Sequence, residues 1–179
     1  MKQLFFLIGL LLPIFSFSQT VKATNEFRHV AEWEPMEAIW MGLSSSSFLA
    51  GPSVEPGMLS CIKELHNYVK INLIVRHDSL LSKTKNKLSD NGIDINKIDF
   101  IVYGGRGACT IRDCGPAFLV NKNERITAVD FEYISVFPGT SESTRLRTEK
   151  IDRDLAQLVN IPVRKVNVAS EGGARELNG

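Results

Sequence analysis

Three short segments carry residue types that could do chemistry: Ala31-Glu32-Trp33-Glu34-Pro35, Ile111-Arg112-Asp113-Cys114-Gly115-Pro116 and Ser170-Glu171-Gly172-Gly173. Each sets a carboxylate beside residues that turn or loosen the chain. Gly115-Pro116 predicts a sharp turn that leaves Asp113 exposed at a strand end. Glu171 precedes two glycines, which let a backbone pass close to a neighbour or ligand. Alternatively, Asp113 pairs with Arg112 or caps a turn, and Glu171 is a solvated turn residue. Cys114 adjoins Asp113 and invites a nucleophile reading, but a neighbouring carboxylate raises a thiol pKa, against attack. His29, His66 and His77 show no metal-ligand spacing and read as structural. Trp33 and Trp40 read as packing residues rather than ligand contacts.

The elements that must position these segments alternate strand and helix. Ala38–Leu43, Ile71–Val75 and Ile98–Tyr103 read as buried strands. Ser44–Ser47 and Gly51-Pro52 form a loop. Met58, Cys61, Ile62, Leu65 and Val69 recur at helical spacing within Ser53–Val69, with Ser53 as cap. A second amphipathic helix spans Ser79–Leu88 and stops near Asn91-Gly92. Ala117–Val120 and Ile126–Phe131 form a hairpin across Asn121-Lys122-Asn123-Glu124. A third helix covers about Ser143–Val159 with Leu146, Ile151, Leu155 and Leu158 inward, and Val163–Val168 returns as a strand. Strict alternation predicts an α/β class. The last residues, from Ser170 to Asn178-Gly179, read as a strand entering a hairpin turn with no partner strand, so the chain is expected to be a truncated product.

Lys2, the apolar run Leu4–Leu12, the breaker Pro13 and Ser16-Phe17-Ser18 have the layout of a signal peptide cut between Ser18 and Gln19. A membrane anchor would need about 20 apolar residues. The expectation is an exported protein, periplasmic or secreted: signal peptide 1–18, leader 19–26, domain 27–179, and no membrane attachment after cleavage. The chain holds 21 basic and 20 acidic residues, and losing Lys2 with the signal peptide balances them. No basic tract points to nucleic acid. Hydrophobic residues make up 44%, enough for a real core. Cys61, Cys109 and Cys114 are too few for a disulfide framework, although Cys109 and Cys114 could bridge across a turn.

In order and spacing the three segments resemble the family of agmatine deiminases and Porphyromonas-type peptidylarginine deiminases. That family opens on Ala-Glu-Trp-x-Pro, has an Arg-Asp-x-Gly-Pro motif before a hairpin, and carries a Glu-Gly-Gly motif. The resemblance covers about residues 27–179. It implies part of a pentein propeller, about half of five α/β blades around a central site. The implied reaction is hydrolysis of a guanidine to a ureido group with release of ammonia, without metal or organic cofactor. A guanidinium is planar, always charged and matches a carboxylate bidentately, so acidic groups can hold its carbon in line for attack. On this resemblance Asp113 is the guanidinium clamp and Glu171 a further substrate-binding wall residue.

The resemblance also implies parts that are not among these residues. The family's Gly-His-x-Asp histidine and late cysteine do not occur in the 179 residues, so the chain alone is expected not to turn over substrate. Members often carry an aromatic three residues before the motif aspartate, where Thr110 stands here. Tyr133-Ile134-Ser135-Val136 replaces their Asn-x-Trp-Gly. These departures bear on the substrate, which is agmatine or the arginine side chain of a peptide. Two other readings are a non-catalytic module binding guanidine or arginine ligands, and a non-functional truncated product. An open part-propeller exposes strand edges, which predicts self-association.

Overall fold

The computed structural model of the chain describes residues 27–43, 55–104, 111–132, 141–143, 146 and 149–175. The export segment and leader, the 44–54 loop with the Ser53 cap, Cys109, Thr110, Tyr133–Val136 and residues 176–179 lie outside the described residues.

Two small sheets carry the fold. Strands β1 (Arg28–His29) and β2 (Ala38–Leu43) come first, then helix α1 (Glu55–Leu65), strand β3 (Lys70–Val75), helix α2 (Leu81–Asp90) and strand β4 (Ile98–Val102). The four-residue helix α3 (Ile111–Cys114) leads into the hairpin of β5 (Ala117–Val120) and β6 (Ile126–Glu132). Helix α4 (Ile151–Leu158) and strand β7 (Val163–Ala169) follow, and a 3₁₀ turn at Gly172–Ala174 comes last. Strands β2, β3 and β4 form a parallel sheet in that order. The other sheet runs β1-β5-β6-β7, antiparallel except where β7 lies parallel to β6.

The parallel strands are apolar almost throughout because helices cover both faces. Side chains alternate along β3, so Ile71 and Leu73 face one way and Ile74 the other. Ile71 and Leu73 join Leu43, Ile62, Leu88, Ile93 and Ile98 in one cluster, beneath α1 and α2. Ile74 joins Cys114, Ile151 and Leu155 on the opposite face, with Trp40, Tyr103 and Ile111 packed beside them. That second cluster ties the parallel sheet to α3 and α4, and so to the segments of chemical interest.

Helix ends follow local chemistry. Helix α2 stops where Gly92 takes φ +76°, with Gly92 N–H donating to Ser89 and Ile93 N–H to the Leu88 carbonyl. This left-handed stop needs a residue without a Cβ penalty. Helix α4 ends the same way on Asn160, at φ 58°, with Ile161 N–H donating to Ala156. The hairpin loop turns on Asn121, whose Oδ1 accepts from the amides of Asn123 and Arg125 at 2.9 Å each.

The third helix differs from its sequence expectation. Glu142, Ser143 and Leu146 are helical, a turn follows at 149–150, and the helix proper spans Ile151–Leu158, burying Ile151 and Leu155 as expected together with Asp152 and Ala156. Leu146 and Leu158 are exposed at 43% and 53% rather than inward. Leu158 is the last helical residue before the Asn160 stop, which takes the chain off the core face. The terminal segment differs too: Gly172–Ala174 is a 3₁₀ turn and not a strand.

Candidate functional site

Asp113 sits on α3, half-buried, rather than exposed at a strand end. The cause is Gly115, whose N–H donates to the Ile111 carbonyl at 2.8 Å and closes a helical turn around Asp113. A Cβ at 115 would collide with that carbonyl and approach the Ile111 side chain to 2.8 Å, so only glycine closes the turn. Cys114 and Gly115 are then buried and β5 starts at Ala117.

Gly172 brings the last segment onto α3. A Cβ there would overlap the Arg112 carbonyl oxygen and lie 2.8 Å from its carbon, so the glycine permits backbone-on-backbone packing. A Cβ on Gly173 would stand 4.0 Å from Asp113 Oδ1. The Glu-Gly-Gly segment therefore lies against the Arg-Asp segment, although about 60 residues separate them in the chain. Glu171 is half-buried at the start of this turn, in extended backbone.

The first segment reaches the same place. Ala31 N–H donates to Glu34 Oε1 at 2.8 Å, and Glu34 N–H donates back to the Ala31 carbonyl at 3.1 Å, closing a tight turn. Arg28 grips the Glu34 carboxylate with two bonds of 2.6 Å. The Arg28 bonds, then the Ala31 amide, hold the Glu34 pKa down to about 2. Glu32 at the turn's tip lies 4.0 Å from Arg112. Arg112 thus approaches Glu32 and not Asp113. Among the described residues neither the Asp113 nor the Glu171 carboxylate has a hydrogen-bond or ion-pair partner. Two half-buried, unmatched carboxylates on touching segments suit a cation with forked donors.

Polar groups that sequence reasoning missed lie behind the turn. Asp130 on β6 and Asp152 on α4 are 4% and 5% exposed and lie close enough that, besides burial, the Asp130 carboxylate helps raise the Asp152 pKa. Asp152 accepts from the amides of Phe131 (2.9 Å) and Arg153 (2.8 Å), and Arg153 Nη1 meets Asp130 at 3.3 Å. Burial is the main force that lifts Asp152 to about 7. Tyr103 donates its hydroxyl to Asp154 at 3.1 Å, and burial, with the Asp154 charge, raises its pKa. Arg175 lies over the Phe131 ring at 4.7 Å, its Nε donating to the Glu171 carbonyl at 3.3 Å. An acid within the apolar run Ile126–Phe131 and another on the inward face of α4 were the signals available in the sequence.

The remaining candidates fall as follows. Cys114 is buried at 5% within the second apolar cluster, away from any nucleophile role. Its pairing with Cys109 involves a residue outside the described ones. His66 is buried, with Nδ1 donating to the Lys63 carbonyl at 2.6 Å, and His29 Nδ1 meets the Val30 carbonyl at 3.1 Å. Both are built into their local backbone, and His77 precedes the 3₁₀ turn at Asp78–Leu80. Trp40 packs as expected, 5.9 Å from the Phe118 ring. Trp33 does not: it is 74% exposed, because it occupies the tip of the Ala31–Glu34 turn. No described helix is long and apolar enough to cross a membrane.

This mixed α/β arrangement matches part of the fold of solved agmatine deiminases. The agmatine deiminase of Enterococcus faecalis superposes with a TM-score of 0.61 at 16% identity, over 83% of this chain and 40% of that one. The agmatine deiminase of C. jejuni, solved with substrate bound, gives 0.60 at 22% identity, over 82% and 41%. The chain therefore spans about 40% of the length of these relatives. At such identities the likeness defines the fold. The family model for Porphyromonas-type peptidyl-arginine deiminases matches residues 28–179, and the chain belongs to that family. A search of the curated proteins finds no match.

Proposed function

We propose that these residues form the guanidinium-binding part of a deiminase that hydrolyses a guanidine to a ureido group and ammonia. The observation that supports this reading is the meeting of the Asp113 and Glu171 segments, through Gly172, with both carboxylates half-buried and unmatched among the described residues. A carboxylate fits the edge of a guanidinium with two parallel hydrogen bonds, and half-burial strengthens the pairing by excluding competing water. Fixing the guanidinium plane sets its carbon for a nucleophile approaching from above. Asp113 takes the role of clamp and Glu171 that of pocket wall. The attacking thiol and the proton-carrying imidazole, which the resemblance places in later motifs, are not among these residues. The reading includes a partial five-bladed propeller, export by the 1–18 segment, and agmatine or a peptide arginine as substrate.

Calorimetric titration with agmatine, and with putrescine as the same chain lacking the guanidine, separates guanidine recognition from simple attraction of an amine. The expected result is saturable binding of agmatine at least tenfold tighter than putrescine, with no ammonia released by the chain alone. Equal affinities would sink the reading.

A further inference from the structure

We propose that Arg175 is the positioning residue that holds the Glu171–Gly173 turn beside Asp113. The inference rests on the proposed guanidinium site for its consequence, and on the geometry of the turn alone for its mechanism.

The turn has few means of its own to stay in place. Gly172 and Gly173 carry no side chains, and Gly172 cannot, because the Arg112 carbonyl occupies the space. Glycines are also the least restrained residues in the unfolded and locally opened chain. The Glu171 side chain must stay available to the ligand. Ser170 anchors the start of the turn, its N–H donating to the Glu132 carbonyl of β6 at 3.2 Å and its Oγ to the Glu171 carbonyl at 3.4 Å. Arg175 holds the other end. Its backbone N–H donates to the Gly172 carbonyl at 3.3 Å, and its Nε to the Glu171 carbonyl, also at 3.3 Å. Its guanidinium lies on the face of Phe131, a residue of β6. Phe131 is itself fixed, since its amide donates to Asp152 on the adjacent helix. The sheet thus reaches the far side of the glycine turn, beyond the Ser170 anchor, through one planar side chain.

Arginine is suited to this and lysine is not. The guanidinium offers a flat face to the ring and an Nε donor along the stem, whereas an ammonium gives a point charge at the stem's end. Burial lowers the Arg175 pKa, with the Asp152 charge opposing. Its Nη1 is buried without a partner among the described residues, which is a cost rather than a gain in stability. A group kept at such a cost against the Glu171 backbone carbonyl fits a role in the turn better than one in the core.

The test uses the intact chain with Arg175→Met, which keeps the apolar stem over Phe131, and Arg175→Lys, which keeps the charge. Amide hydrogen exchange reads the turn without any ligand. Both variants are expected to exchange at least tenfold faster across residues 171–175, with α4, β6 and the Ser170 amide unchanged. Unchanged protection of the turn in both would overturn the proposal, whether or not the chain binds guanidines. If exchange rises across the whole chain, Arg175 is a stability residue and the proposal also fails. Agmatine titration then reads the consequence. Loss of an orienting side chain commonly costs on the order of tenfold in affinity. Because Arg175 acts through Glu171, Arg175→Met should add nothing in a Glu171→Ala background. Full additivity there would contradict positioning. Absence of agmatine binding by the unaltered chain would remove the guanidine reading while the exchange result still decides the role of Arg175.

Discussion

The two sheets use burial differently. Between the parallel sheet and helices α1 and α2 lie Leu43, Ile62, Ile71, Leu73, Leu88, Ile93 and Ile98, and the polar side chains buried in that half, Thr84 and His66, include no carboxylate. Behind the candidate site, the sheet that holds β6 buries Thr127, Asp130 and Asp152, and leaves Arg153 and Arg175 half inside. Each buried aliphatic side chain contributes roughly 1.5–3 kcal/mol, whereas a buried carboxylate must be hydrogen-bonded merely to break even. Stability is thus concentrated in the parallel sheet. Polar precision is concentrated where Asp113 and Glu171 meet.

That contrast can be broken by substitution. Ile62→Ala removes a side chain with no exposed area, and should cost about 2–5 kcal/mol in a denaturant titration. Agmatine binding by the folded fraction should survive it. Gly172→Ala reverses the pattern. The new Cβ meets backbone rather than a flexible side chain, so the turn must move. The expected loss is about 1–3 kcal/mol in stability and more than tenfold in agmatine affinity. If Gly172→Ala binds agmatine normally, the packing of the turn on Arg112 is not what forms the site.

The buried acids sharpen the comparison through pH. Burial raises Asp152 in the folded chain to about 7, above the 3.8 of an ordinary aspartate. Its favourable contribution is therefore complete below about pH 4 and lost as pH rises through 7. Melting temperature should fall across that window, and Asp152→Asn should flatten the fall. Glu34 has the opposite sign: Arg28 holds it at about 2, so its contribution is present above 4.5 and lost as pH drops towards 2. A Glu34→Gln chain should lose this acid-side slope and keep the neutral one.

The smallest effect belongs to Gly57 in α1. A Cβ there meets nothing within 4 Å, so Gly57→Ala should stabilise by about 0.5–1 kcal/mol, measured by thermal melting. Two glycines, one substitution and opposite signs would separate a helix position from a site position.

Much of the parallel sheet was legible because its signals are local. The apolar runs Ala38–Leu43 and Ile71–Val75, and the Asn91-Gly92 stop, depend on neighbours within a few residues. The hairpin around Asn121 was legible for the same reason. The third helix was legible in part: Ile151 and Leu155 lie inward as their spacing indicated, whereas Asp152 on the same face carries no apolar mark. The 3₁₀ turn at Gly172–Ala174 was not legible, its shape being imposed by the Arg112 carbonyl about 60 residues away in the chain. The acids Asp113 and Glu171 stood out by motif, while the residues that hold them, Arg175 and Phe131, did not. Their roles exist only once β6 and the last turn are side by side.

Agmatine affinity of Asp113→Asn against the unaltered chain tests the central claim most directly. Asparagine keeps the shape and loses one charge and the bidentate acceptor pair. The account predicts at least a tenfold loss of affinity with an unchanged melting temperature. Agmatine binding undiminished in Asp113→Asn would contradict it, and would place guanidine recognition outside the meeting of the Asp113 and Glu171 segments.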